Sequence, residues 1–141
     1  MSAENVEIVE RAMAAFEADD LDTQLEILDP DVELVEWPES PDQRIYRGHE
    51  GALRAAESWG EAWEWIRVDV DELLDAGDKV IVCGRTFGKG KGSSVEVAID
   101  TFNVYTVRDG KVKSIEFFTM EEPALRAAGL DESSKKAEEA R

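Results

Sequence analysis

Residues 95 to 118, VEVAIDTFNVYTVRDGKVKSIEFF, hold two strand-like runs joined by Asp109-Gly110. This pair constrains the chain more than any other feature. A two-residue type I′ turn needs positive φ at both central positions, which Asp-Gly supplies at little steric cost. A turn of that kind would set Asn103 opposite Glu116, Thr101 opposite Phe118 and Tyr105 opposite Ser114 on one face. Phe102 would then meet Phe117, and Val104 would meet Ile115, on the other face. Both faces are partly apolar, so both need covering. The first is expected to line a ligand pocket and the second to meet another subunit.

The rest of the chain supplies what could pack on this hairpin. Val6, Val9, Met13 and Phe16 lie three, four and three residues apart, one apolar stripe along a helix over residues 4 to 17. Leu21, Leu25 and Leu28 predict a second short helix, closed by Asp29-Pro30-Asp31, because the residue before proline avoids the α region. A strand follows from Val32 to Trp37, and Pro38 and Pro41 open a loop that ends at Gly48. The longest helix is expected from His49 to about Trp65, with Ala52, Ala55, Ala56, Trp59, Ala62 and Trp63 at helical spacing.

Ile66, Val68 and Val70 alternate with charged residues as a half-buried strand, and Asp75 to Asp78 turns it into an apolar strand from Lys79 to about Phe87. The connection GKGKGSS has neither P-loop nor GxGxxG spacing and leads to a strand, so it reads as a hairpin loop. Glu121, Glu122 and Pro123 open a last helix that reaches Leu130. The order gives one α+β domain over residues 1–130, with helices gathered on one face of a curved, antiparallel (mixed) sheet. Residues 131–141, DESSKKAEEAR, read as a charged, disordered tail.

Composition narrows the partners. A formal charge of −17, from 33 acidic and 16 basic residues, argues against a nucleic-acid surface or an anionic membrane. Cys83 is the single cysteine, so no intramolecular disulfide can form, and its apolar strand suits a buried, inert thiol. The start of the chain lacks the pattern of a signal peptide, and no apolar run approaches the ~18 residues of a membrane-spanning helix. A cytoplasmic protein is the expectation.

The element order, with ENVEIVERAMAAFEADDLDTQLEILDPDVELVE, IYRGHEG and YTVRDGKV in sequence, resembles the SnoaL-like family of the nuclear-transport-factor-two-like superfamily. The resemblance covers about residues 4 to 130. It implies a cone-shaped fold in which a bent sheet wraps a long helix and leaves a mostly apolar pocket. It also implies a homodimer. The family includes polyketide cyclases, ketosteroid isomerase, scytalone dehydratase and limonene epoxide hydrolase, so the fold alone does not specify a reaction.

In the cyclases of this family an aspartate acid/base stands five positions before the RDGK turn, and Asn103 occupies that position here. An amide cannot exchange a proton usefully near neutral pH. The epoxide hydrolase Arg-x-Asp pattern is also incomplete, because Thr86 and Phe87 follow Arg85.

Glu116 would become a general base if it were buried beside Asn103, with Asn103 as orienting donor and Arg85 stabilising developing negative charge. Alternatively, Glu116 faces solvent or pairs with Arg85, and Arg85 pairs with an acid such as Asp100. His49, the single histidine, reads as a solvent-facing residue of a helix's first turn. Trp37, Trp59, Trp63, Thr101, Tyr105 and Phe118 are candidate walls of the pocket. Two functions follow: a protein that binds a small apolar or aromatic molecule, as a cofactor-independent isomerase, dehydratase or cyclase where it is an enzyme, or a non-catalytic binding or dimerisation module. No metal or cofactor is implied, and the homodimer would pack through Phe102, Val104, Ile115 and Phe117.

Overall fold

The computed structural model describes residues 2–38 and 43–130. The expected tail over 131–141, and Pro41 in the loop, lie outside the described residues. Helix α1 (Ser2–Glu17) turns Val6, Val9 and Met13 into the core, with Val9 fully buried. Helix α2 (Leu21–Ile27) is capped by Asp20, whose carboxylate accepts from the Thr23 hydroxyl at 2.6 Å and the Thr23 amide at 3.2 Å. The chain enters strand β1 (Leu28–Val35) directly from α2. Asp29-Pro30-Asp31 therefore lies inside β1 and does not close the helix. It falls where the pairing of β1 with its neighbour shifts between Leu28 and Glu33, an irregularity that proline tolerates.

Two further boundaries differ from expectation. Strand β2 (Ile45–Arg47) sits inside the predicted loop, too short for alternation to reveal. Helix α3 (Gly48–Ala62) ends before Trp63, so Trp59 and Trp63 do not share a helical face. Trp63 instead opens strand β3 (Trp63–Asp75), which is followed by β4 (Lys79–Gly90), β5 (Glu96–Arg108), β6 (Lys111–Glu116) and helix α4 (Glu121–Ala127). The six strands form one sheet in the order β2-β1-β6-β5-β4-β3. Strands β3 to β6 form an antiparallel meander, β1 joins β6 in parallel, and β2 pairs with β1 antiparallel. This is a four-helix, mixed-sheet α+β fold, curved and not closed.

The turn forms as its sequence requires, with φ of 53° at Asp109 and 75° at Gly110. Val107 meets Val112 and Arg108 meets Lys111, as the two-residue turn dictates. A bulge then follows. Thr106 pairs with Ser114, Tyr105 with Ile115 and Val104 with Glu116, one residue out of the expected register. One extra residue in a strand moves every later side chain to the other face relative to its partner strand.

The bulge divides the apolar set that was expected to form an interface. Ile115 and Phe117 join Tyr105, Val107, Val80 and Val82 in the core beneath α1, α2 and α3. Phe102 and Val104 lie on the opposite face, packed with Ile81 and Cys83 against Ala124, Leu125 and Ala128 of the α4 segment. Helices thus cover part of both faces, and the homodimer contact through Phe102, Val104, Ile115 and Phe117 is not a single surface. Farther along, a Cβ on Gly84 would lie 2.2 Å from the Asp69 carbonyl oxygen, so only glycine lets β4 approach β3 there.

Candidate functional site

The core face of β5 presents Thr101, Asn103 and Tyr105 in alternation, all buried. Two of the three polar groups are satisfied. Thr101 shares a hydrogen bond of 2.9 Å with Thr86, and the Tyr105 hydroxyl donates to Met13 Sδ at 3.2 Å. Burial pushes the Tyr105 phenol well above its ordinary pKa, so it stays neutral. Asn103 differs: it is 7 % exposed, and its Oδ1 is buried without a hydrogen-bond partner among the described residues.

The register explains what surrounds Asn103. Val104 pairs with Glu116 and the Phe102 amide donates to the Phe118 carbonyl at 2.8 Å, which puts Asn103 opposite Phe117. Phe117 in turn holds two tryptophans, Trp37 at 5.7 Å with an interplanar angle of 46° and Trp59 at 5.7 Å and 87°. Trp37 arrives from the end of β1 and Trp59 from α3, so three separate elements converge on one half-buried aromatic cluster. Trp37 Nε1 is the second buried polar atom without a partner. Both residues with an unpaired atom, Asn103 by strand register and Trp37 by ring contact, are thus neighbours of Phe117.

The structure separates other residues from this cluster. Arg85 is on the opposite face of the sheet, bound to Asp100 at 3.1 Å, with its side chain 56 % exposed. Glu116 shares the face of Val104 and not that of Asn103, because of the bulge. Phe118 packs in the cluster under α4, away from Thr101. The expected adjacency of Glu116, Asn103 and Arg85 is corrected accordingly. Trp63 lies against Gly88, where an added Cβ would stand 3.0 Å from its ring. His49 does not simply face solvent: its Nε2 is 2.9 Å from the Leu28 carbonyl, tying the start of α3 to β1.

Phe117 is the member of the site that sequence reasoning assigned elsewhere. A signal for it exists in KVKSIEFF. Val112 and Ile115 are three apart, whereas unbroken alternation would place the next core residue at 114. That spacing marks the bulge.

An open cavity of about 590 Å³ lies between β2 and α3, lined by Arg44, Ile45, Tyr46, Arg54, Glu57, Ser58 and Glu61. Its walls are mainly exposed, charged side chains, with Arg54 held by Glu50 at 3.2 Å. Tyr46 is its one aromatic wall, and neither of the buried unpaired atoms belongs to its lining. Among the described residues no group of three His, Cys, Asp or Glu side chains could hold a metal ion, and no helix is long and apolar enough to cross a membrane.

A sequence model of the SnoaL-like domain matches residues 9–115. No curated protein sequence matches the chain. Among solved structures, an NTF2-like protein of unknown function from Burkholderia pseudomallei is 20% identical, with a TM-score of 0.75 over 89% of this chain and 97% of that one. TerC, co-crystallised with polyporic acid, is 24% identical, with a TM-score of 0.72 over 89% of this chain and 97% of its own. A protein with a ketosteroid isomerase-like fold from Catenulispora acidiphila, in complex with trimethylamine, is 19% identical, with a TM-score of 0.71 over 88% and 93%. These likenesses establish the fold.

Proposed function

Because the chain belongs to the SnoaL-like domain family, we propose that it binds a compact aromatic molecule against Trp37, Trp59 and Phe117 and performs no proton transfer on it. The observation that carries this reading is the pair of buried, unpaired atoms beside Phe117, Asn103 Oδ1 and Trp37 Nε1. A buried polar group without a partner costs roughly 1–3 kcal/mol, and a ligand that displaces part of the aromatic packing and supplies the partner recovers that cost on binding. Aromatic rings set at 46° and 87° add apolar walls on different sides. The fold relatives TerC and the Catenulispora protein were crystallised with small molecules, which fits this reading.

Two features favour binding over catalysis. Asn103 can orient or recognise but cannot exchange a proton usefully, and Arg85 and Glu116 project from the other face of the sheet. An isomerase, dehydratase or cyclase using Glu116 would require that carboxylate to reach a ligand on the far side of β6. In the binding reading the protein works in the cytoplasm, where its one buried thiol, Cys83, has no need of a disulfide partner.

Calorimetric titration with 2-naphthol, an aromatic probe of suitable size, tests this function. Saturable binding that weakens at least tenfold in Trp59→Ala and is unchanged in Glu116→Gln is the expected result. Equal binding by Trp59→Ala, or loss of binding in Glu116→Gln, would count against it.

The uncovered part of the sheet suggests the partner. Ile66, Gly88 and Val97 form one cross-strand row and Val68, Thr86 and Ile99 the next, on the face that carries Thr101 and Asn103 farther along, with Val70 at its β3 edge. Val70, Val97 and Ile99 are 45%, 44% and 44% exposed. We propose that the homodimer forms through this stripe, in place of the face that α4 covers.

A further inference from the structure

The open cavity between β2 and α3 has about 590 Å³, within the range of small-molecule sites, and its walls carry charges of both signs. We infer that it is a second binding site, separate from the Phe117 cluster, for a linear dipolar molecule of about the length of a tripeptide. Helix α3 sets the order of the charges. Arg54, Glu57, Ser58 and Glu61 share a helical face beside the buried one of Gly51, Ala52 and Ala55. Seven residues at ~1.5 Å each set Arg54 and Glu61 roughly 10 Å apart along the axis. Gly51 lies against β2, where an added Cβ would stand 2.8 Å from the Tyr46 carbonyl carbon, so α3 runs back along β2 and Arg44 joins Arg54 at the cationic end. Ile45, 44% exposed, and Tyr46 give the strand side an apolar stretch.

The ion pairs keep the two ends apart. Arg54 turns back to Glu50 at 3.2 Å, and the Glu57 and Glu61 side chains have no ion pair or hydrogen bond among the described residues. Carboxylates four residues apart on a helix repel each other, and a cation between them relieves that repulsion. A simple cation filling the cavity would meet the guanidinium groups at one end, and a simple anion the carboxylates at the other. A single amino acid carries both charges on one carbon and spans neither distance. An extended tripeptide covers about 3.3–3.6 Å per residue, so its carboxylate and ammonium stand roughly 10 Å apart. Its carboxylate fits the donors of Arg54, its ammonium fits Glu61, and an apolar middle side chain covers Ile45.

Calorimetry with the tripeptide Ala-Leu-Ala, its N-acetyl form, its C-terminal amide and free leucine tests the inference. The uncapped tripeptide is expected to bind at least tenfold more tightly than the other three. Arg54→Gln should weaken the uncapped tripeptide about tenfold and leave the amide unchanged, whereas Glu61→Gln should weaken it similarly and leave the N-acetyl form unchanged. Both side chains are exposed, so neither variant threatens the fold. Equal affinity for capped and uncapped forms, leucine binding as tightly as the tripeptide, or affinity indifferent to both substitutions overturns the inference. Binding of none of the four at millimolar concentration overturns it as well.

Discussion

An amide oxygen held out of water with nothing to accept from is a standing cost of roughly 1–3 kcal/mol, and Asn103 carries it in the middle of a central strand. Asn103→Leu should therefore keep or raise stability, by about 1 kcal/mol in urea unfolding, while it removes ligand binding. A purely structural asparagine would lose stability instead. Asn103→Asp should behave differently with pH. Burial without a cation raises a carboxyl's folded pKa above its unfolded value, so the variant approaches the parent at low pH and loses stability as pH rises from ~4 to 7. Asp20 and Asp29 have the opposite sign. Hydrogen bonds from the Thr23 hydroxyl and amide lower the first, and the Asp31 amide lowers the second. Their contribution is present above the unfolded carboxylate pKa and is lost as pH falls below it, which Asp29→Asn should blunt in acid titrations followed by circular dichroism. Asn103 was legible in the sequence because it stands at a fixed distance from the RDGK turn. That it would be unpaired was not, since pairing depends on side chains from β1, α3 and β6 that no local pattern relates.

At the scale of elements, the sequence revealed types more readily than joints. The Asp-Gly turn, the α1 stripe and the alternation of β3 are local properties, and the structure has each of them. The bulge in β6 depends on how two strands twist against each other, and a register extended from the turn alone puts Glu116 beside Asn103 when it belongs beside Val104. Helix α3 shows a similar limit. Its tryptophans fit helical spacing, but the chain turns at Ala62 because Trp63 is taken by the sheet. Two glycines make this testable. Gly84→Ala would drive a methyl into the Asp69 carbonyl and should cost about 3 kcal/mol in thermal or urea unfolding. Gly60→Ala, in α3 with nothing within 4 Å, should stabilise by about 0.5–1 kcal/mol. Equal effects from the two would contradict the close approach of β3 and β4.

As a whole molecule, the protein divides its sheet by what covers it. One end of the core face is sealed by α1 to α3, the opposite face is partly sealed by α4, and the long ends of β3, β4 and β5 leave an apolar stripe exposed. Wild-type protein is expected to elute from light-scattering chromatography at the mass of two chains, and Ile99→Lys at the mass of one. A monomeric wild type would remove the dimer from the reading. Fold class was legible from the order of elements, whereas which stretch of the sheet stays uncovered was not, because that depended on the bulge and on where α4 docks.

The central claim is that a ligand sits at Trp37 and Asn103, and its most direct test is the indole N–H spectrum of ¹⁵N-labelled protein during titration with 2-naphthol. Four tryptophans give four indole signals, assigned with Trp→Phe variants. The Trp37 signal should move saturably downfield as its N–H gains an acceptor, while Trp65, stacked with Arg67 on the outer face at 5.9 Å, should stay in place. A fixed Trp37 signal, or a shift confined to Trp65, would contradict it.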